Sequence, residues 1–199
     1  MRGYSISNGH PVASLDFSYD DSSGAYAAAS ATGVASSSEL LRPLALQLNA
    51  GYARPLSSSL TLDVGATGSF YSHYSRIETD RTYGELYAGL SASHFSSRIS
   101  YSPDYFLTGG PTAYGELNAN FGNAYGLRLE GHVGELVSLG GSRSYRRQLD
   151  WRAGVSREFG RVALHAAWAG RGRAPRPFGS TLRRARSGSG LIVGLTYGL

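Results

Sequence analysis

The chain has 199 residues, 41% hydrophobic and 12% aromatic, with 27 glycines and no cysteine; that size allows one domain or two small ones, and the composition excludes a disulfide framework, a cysteine-ligated metal and thiol catalysis. The formal charge of +5 has arginine as its only cationic source and is unevenly placed: residues 1–141 hold seven arginines against twelve acids, net −5, whereas 142–199 hold twelve against two, net +10. No run approaches the roughly eighteen apolar residues of a transmembrane helix, and Met1-Arg2-Gly3-Tyr4 leads into polar alternation rather than the apolar segment of an export signal.

In chain order the predicted elements are all strands. Residues 2–7 read as the end of a first strand, followed by a link at 8–11, a tight link at 20–24 and a long one at 35–43. Then Leu44, Leu46, Leu48, Ala50 and Tyr52 alternate with Ala45, Gln47, Asn49, Gly51 and Ala53, the period-2 signature of a strand with one apolar and one polar face. A tight link at 55–59 leads to Leu60, Leu62, Val64, Ala66 and Phe70 in the apolar phase. A long link at 73–81 precedes Leu86, Ala88 and Leu90; a tight one at 94–96 precedes Ile99 and Tyr101. Past the link at 107–111 come Leu117, Ala119 and Phe121, and past the tight link at 122–124 come Leu127, Leu129 and Val133. The long link at 140–147 opens onto Leu149, Trp151, Ala153 and Val155. A tight turn at Gly160 and Arg161 then leads to Val162, Leu164, Ala166 and Trp168. The longest link, 171–188, precedes Leu191, Val193, Leu195, Tyr197 and Leu199.

Within these strands Asp16, Asp63, Glu85, Arg98, Glu116, Arg128, Glu130, Asp150 and Arg152 fall in the polar phase. A bilayer enforces such a separation, because a charge on the lipid face near the midplane costs about 2–4 kcal/mol. Short and long links alternate, as in outer-membrane barrels with short periplasmic turns and longer outer loops. The expectation is an all-β, up-and-down antiparallel transmembrane β-barrel of about twelve strands in one domain. The chain begins inside strand one on this reading, with both termini periplasmic. Aromatic residues gather near predicted strand ends, as with Tyr19, Tyr52, Phe70, Tyr71, Phe121, Phe159, Trp168 and Tyr197, where membrane girdles sit. The soluble rival is a lipocalin-like barrel or β-sandwich, against which stands a charged fraction of only 17%.

Several segments carry a family resemblance. They are Arg2-Gly3-Tyr4-Ser5 with Gly9-His10-Pro11-Val12, Ser23-Gly24-Ala25-Tyr26, Tyr83 to Leu90, Tyr101-Ser102-Pro103-Asp104-Tyr105-Phe106, and Asp150-Trp151 leading to Gly154 through Gly160. In order and spacing they resemble the Gcw_chp family of proteobacterial outer-membrane proteins of unknown function. The resemblance implies a bacterial outer-membrane location and a barrel fold, and carries no chemistry. The family's usual strand before Arg2-Gly3 does not stand in this sequence, and Leu199 occupies a final position that is often aromatic in outer-membrane barrels.

The candidate site is a lumen lined by Asp63, Glu85, Arg98, Glu116, Arg128, Glu130, His132, Asp150, Arg152 and His165, where opposite charges on neighbouring strands could pair. It reads either as a pore wall for a small polar solute or as a plug of salt bridges. A second candidate is basic: Arg143, Arg146 and Arg147 in one long link, and Arg171, Arg173, Arg176, Arg183, Arg184 and Arg186 in the longest, suited to lipopolysaccharide phosphates at the outer face or else merely solvated. The alternating last strand suits the outer-membrane assembly machinery. Pro103 is expected to mark a bulge that re-aims Asp104 and Tyr105. Nucleic acid is disfavoured because the arginines lack interleaved aromatics. No cofactor or metal is expected. Nor is catalysis: there is no Gly-x-Ser-x-Gly elbow and no His-x-x-x-His spacing, and His73 and His94 beside serines are what a serine-rich chain gives by chance. Outer-membrane lipid-modifying chemistry is the remaining enzymatic alternative.

Overall fold

A computed structural model describes residues 2, 6–35, 41–72, 81–105, 110–122, 125–140, 148–172 and 188–198. They form β1 (Val12–Asp20), β2 (Ala25–Val34), β3 (Arg42–Ser57), β4 (Leu60–Tyr71), β5 (Arg81–Ser91), β6 (Phe95–Ser102), β7 (Thr112–Gly122), β8 (Leu127–Ser138), β9 (Gln148–Phe159), β10 (Val162–Arg171) and β11 (Ser189–Tyr197). One antiparallel sheet orders them consecutively from β1 to β11, with no crossover. Strand lengths of 8 to 16 residues bracket the roughly 9–11 residues that a tilted strand needs to cross a bilayer.

The sheet is curved, since residues far apart in strand order meet on one face: Tyr26 of β2 touches Tyr87 of β5, and Arg2 contacts β5, β7 and β9. The polar phase stands on this concave face, most deeply covered from β4 to β9, while the apolar phase stands on the convex face. Glu85 and Leu86 are chain neighbours, yet the Glu85 side chain is 10% exposed and Leu86 is 63% exposed. That inverts the usual arrangement of a water-soluble fold. Leu46, Leu48, Val64, Leu90, Leu117, Leu129, Val133, Leu164 and Trp168 are likewise exposed.

The register slants across the sheet. A single row of register partners joins Asp63, Gly89, Arg98, Glu116, Gly134, Asp150 and Arg171. It begins near the short-link end of β4 and finishes on the last residue of β10 at the long-link end, the stagger that tilted, curling strands require. The first short link, Asp21 to Gly24, is locally specified. The Ser23 amide donates to Asp21 Oδ1 at 2.8 Å and Gly24 takes φ 97°, a conformation that glycine adopts without strain.

The convex face carries charges only towards strand ends. Arg54 and Arg157 lie near the short-link ends and Glu135 lies near the long-link end, and the Arg157 guanidinium sits 5.0 Å from the Phe159 ring centre. Between Leu149 and Arg157 the strand rises about 26 Å, and this stretch of the convex face is apolar with a charge at either end. Tyr19, Tyr52, Phe95, Phe121, Phe159 and Tyr197 are all exposed towards the short-link ends. Tyr71, expected in such a girdle, is instead 2% exposed on the concave face.

The described residues form eleven strands. Four expectations are corrected. Arg2, Ile6 and Ser7 are not in a strand; residues 3–5 lie outside the description. The reason lies in the turn. Asn8 at φ 56° and Gly9 at φ 84°, with the His10 amide donating to the Ser7 carbonyl at 3.1 Å, make a two-residue turn of hairpin type. Pairing continued through it would set Arg2 opposite Leu15 on the apolar face, at the cost of exposing its charge there. Arg2 and Ile6 turn to the concave side instead, where Ile6 packs against a tyrosine cluster. Leu44 departs from its phase: the register between β2 and β3 shifts so that Leu44 has no partner, and it is fully buried. Pro103 is a strand end rather than a bulge, because β6 stops at Ser102 and proline has no N–H for the ladder. The last correction concerns Arg171, taken up below.

Candidate functional site

The concave face holds three groups of polar and aromatic side chains, the first two built on tyrosines laid over glycines. Towards the short-link end, Asp63 accepts from the Tyr26 hydroxyl at 2.6 Å and from Arg98 Nη2 at 2.9 Å. The Tyr26 and Tyr87 hydroxyls also touch, and the Arg98 guanidinium lies 4.2 Å from the Tyr87 ring centre. Tyr26 lies flat over Gly51, its register partner, and Tyr87 over Gly65; a Cβ at Gly51 would come within 2.6 Å of the Tyr26 ring, and one at Gly65 within 2.5 Å of the Tyr87 hydroxyl. Beside Arg98, a recess of about 160 Å³ is lined by Asp63, Ser91, Ser96, Glu116 and Asn118.

The second group spans β7 to β9. Tyr114 lies over Gly134, and its hydroxyl reaches Asp150 Oδ1 at 3.2 Å, while His132 Nε2 is 3.0 Å from the same oxygen. His132 Nδ1 stands 2.7 Å from Asn118 Oδ1, so both ring nitrogens face oxygen atoms. Asp150 is 2% exposed, and a charge so covered is stable only when hydrogen-bonded in this manner. Lower on the same strands, Arg128 and Glu158 lie 3.2 Å apart but are half exposed, a pair worth about 0–1 kcal/mol. Ser156 donates to Glu130 at 3.3 Å.

The third group closes the long-link end. Arg2 Nη2 bonds Glu85 Oε1 at 2.6 Å, and its guanidinium lies 4.0 Å from the ring centre of Tyr114 and 4.6 Å from that of Tyr105. Tyr71 stacks on Tyr83 at 6.1 Å, and Tyr83 meets Tyr105 edge to face at 4.8 Å. Gln148 Nε2 donates to the Arg2 carbonyl at 3.0 Å.

All ten predicted lumen residues fall in the concave phase. Arg152 stands opposite His132, and His165 lies across its partner Gly194. Some of their partnerships run between adjacent strands as expected, His132 with Asp150 and Arg128 with Glu158 across β8 and β9. Others do not: Arg98 bonds Asp63 two strands away although Glu116 is its register partner, and Glu85 bonds Arg2. Arg2 and the tyrosines Tyr26, Tyr83, Tyr87 and Tyr114 were not assigned to the lumen, while Tyr71 was expected in an aromatic girdle and Tyr105 beside a bulge at Pro103. Tyr26 and Tyr87 stand opposite Gly51 and Gly65 in register, a pairing that no single strand discloses. Arg171, expected in the outer loop, is the last residue of β10, 8% exposed and opposite Asp150. The sheet continues one row further than the glycine and arginine punctuation suggested. Arg143, Arg146, Arg147, Arg173, Arg176, Arg183, Arg184 and Arg186 lie outside the described residues, as does His73.

Chemically, this interior offers fixed charges, hydroxyls and aromatic faces. Among the described residues no group of three or more histidines and carboxylates gathers as a metal site. A larger depression, about 540 Å³, lies on the convex side between Leu48, Ala50, Ala66, Gly68, Gly84 and Leu86. It is apolar and shaped by small residues.

The fold has a solved counterpart. The NanC porin, in a rhombohedral crystal form, superposes with a TM-score of 0.66 at 13% identity, covering 94% of this chain and 93% of that one. At that identity the likeness speaks for the fold: an antiparallel, up-and-down, porin-like sheet. No curated protein matches the sequence. The Gcw_chp family, described as bacterial protein of unknown function, matches residues 1–187, and the chain therefore belongs to it.

Proposed function

We propose that the protein is an outer-membrane β-barrel forming a narrow channel for small polar solutes. The observation that carries this reading is the segregation of faces: an exposed apolar belt ending at Arg54, Glu135 and Arg157, set against a concave wall of charges and hydroxyls. Closure into a barrel is part of the proposal. With eleven antiparallel strands, β1 and β11 run in the same direction, so one further antiparallel strand fits the seam between them and makes twelve. Twelve strands enclose more space than an eight-stranded barrel filled by side chains, and less than a sixteen-stranded porin.

In this reading the protein is not an enzyme. Its outer arginines, Arg143 to Arg147 and Arg173 to Arg186, contact lipopolysaccharide phosphates, and the alternating β11 is read by the outer-membrane assembly machinery. Single-channel recording in planar bilayers tests the channel. Ohmic steps are expected, with altered ion selectivity in Glu116→Ala, which removes a charge from the recess beside Arg98. A protein that inserts but yields no steps contradicts the channel and supports a second reading, a closed surface barrel, which the placement of Arg2 among the tyrosines favours.

A further inference from the structure

We propose that the box formed by Tyr71, Tyr83, Tyr105, Tyr114 and Glu85 is a binding site for a guanidinium-bearing cation, and that Arg2 occupies it as a tethered competitor. The inference deepens the proposed function and rests on it only in that the box faces the same interior.

The four rings are nearly covered, at 2% exposure for Tyr71, 7% for Tyr83, 6% for Tyr105 and 3% for Tyr114. They come from β4, β5, the stretch after β6, and β7, so the box is assembled by the fold rather than by one segment. Two of them present faces to the guanidinium at 4.0 and 4.6 Å, within the range where the ring quadrupole attracts a cation. Glu85 supplies the single carboxylate, at 2.6 Å. Arg2 Nη1 is buried without a hydrogen-bond partner. The box thus holds its cation by aromatic faces and one acid, and does not demand a full set of acceptors, which is how aromatic cages recognise organic cations.

What occupies the box belongs to no strand. Arg2 sits beyond the hairpin-type turn at Ser7 to His10, with a backbone φ of 39°, a value seldom adopted by residues other than glycine. Its hold on the wall includes the Glu85 ion pair, the ring contacts, a side-chain hydrogen bond with Tyr105 and the bond from Gln148 to its carbonyl. A tether this short raises the local concentration of the competing guanidinium to the millimolar range, so a free cation must displace it.

The experiment is a saturation-transfer NMR titration of methylguanidinium chloride into the purified full chain in detergent, with sodium chloride at equal ionic strength as reference. Wild type is compared with Arg2→Met, which keeps an unbranched apolar stem, and with Arg2→Gln in case the first variant does not fold; folding is judged by heat-modifiable gel mobility. The vacated box binds methylguanidinium at least about tenfold more tightly than wild type, and adding Glu85→Gln weakens that binding by about tenfold or more. Equal affinity in wild type and both Arg2 variants, or binding unchanged by Glu85→Gln, overturns the proposal. Binding without any conductance fails the channel and leaves the box, whereas conductance without binding fails the box alone.

Discussion

Arg98 on β6 reaches across Gly89 on β5 to bond Asp63 on β4, with Nη2 2.9 Å from Oδ2. A Cβ at Gly89 would lie 2.7 Å from the Ser97 carbonyl and 3.5 Å from the Arg98 Cβ, so the absence of a side chain on the intervening strand is what permits the bridge. The concave wall is therefore tied between next-but-one strands, which couples three strands through one interaction.

Asp63→Asn should release Arg98 and weaken the Tyr26 bond together. A hydrogen bond to a charged group contributes about 1.5–3 kcal/mol, and the partial exposure of Arg98 places the loss at the low end of that range. Urea titration of the refolded protein in lipid vesicles measures it. An unchanged midpoint would mean that the bridge does not contribute to the fold.

Gly134→Ala puts a methyl group where the Tyr114 hydroxyl lies, which drives Tyr114 away from Asp150 and His132. Overpacking of this kind costs about 1–3 kcal/mol. Combining it with Tyr114→Ala should make the two effects less than additive, since the ring that clashes is gone. Strict additivity in the same vesicle titration contradicts the placement of Tyr114 over Gly134.

Substitutions at Leu86 test what the convex face meets. Leu86→Arg, at the middle of β5 on the convex side, should cost about 2–4 kcal/mol in vesicles, while Leu86→Ala costs less because a small residue remains compatible with lipid. Equal tolerance of arginine and alanine at position 86 would mean that the convex face does not meet hydrocarbon.

The Asp21 turn gives a pH-dependent effect. The Ser23 hydroxyl and then its amide hold the Asp21 carboxyl below the ordinary carboxylate range. With the folded value depressed, the contribution is present above the unfolded value and is lost as pH falls through the folded one. The difference in unfolding midpoint between wild type and Asp21→Ala should therefore be seen at pH 7 and disappear in strong acid. A difference that persists there would assign the effect to the backbone alone.

Strand positions and faces were legible because the period of two survives in nearly every segment: Leu46/Leu48/Tyr52 and Leu60/Leu62/Val64 point one way, and Asp63, Glu85 and Arg98 the other. What alternation does not carry is register between strands. Hence the pairing of Arg98 with Asp63 rather than Glu116, the burial of Leu44 at a register shift, and the inclusion of Arg171 in β10 all depended on hydrogen-bond rows that no single strand encodes. Arg2 was read as strand because its neighbours alternate; the Asn8-Gly9 turn makes that pairing costly by directing its charge to the apolar face. The tyrosine box gathers residues from four separate segments, a convergence set by curvature.

Both tryptophans, Trp151 and Trp168, stand in the convex phase on neighbouring strands, each beside apolar partners such as Val133 and Leu191. Reconstitution into bilayers whose acyl chains carry bromine, followed by tryptophan emission, asks directly what that surface touches. Strong quenching relative to unbrominated lipid is the predicted result. Emission indifferent to bromine, from a polypeptide that remains dispersed in buffer free of lipid and detergent, would contradict the account.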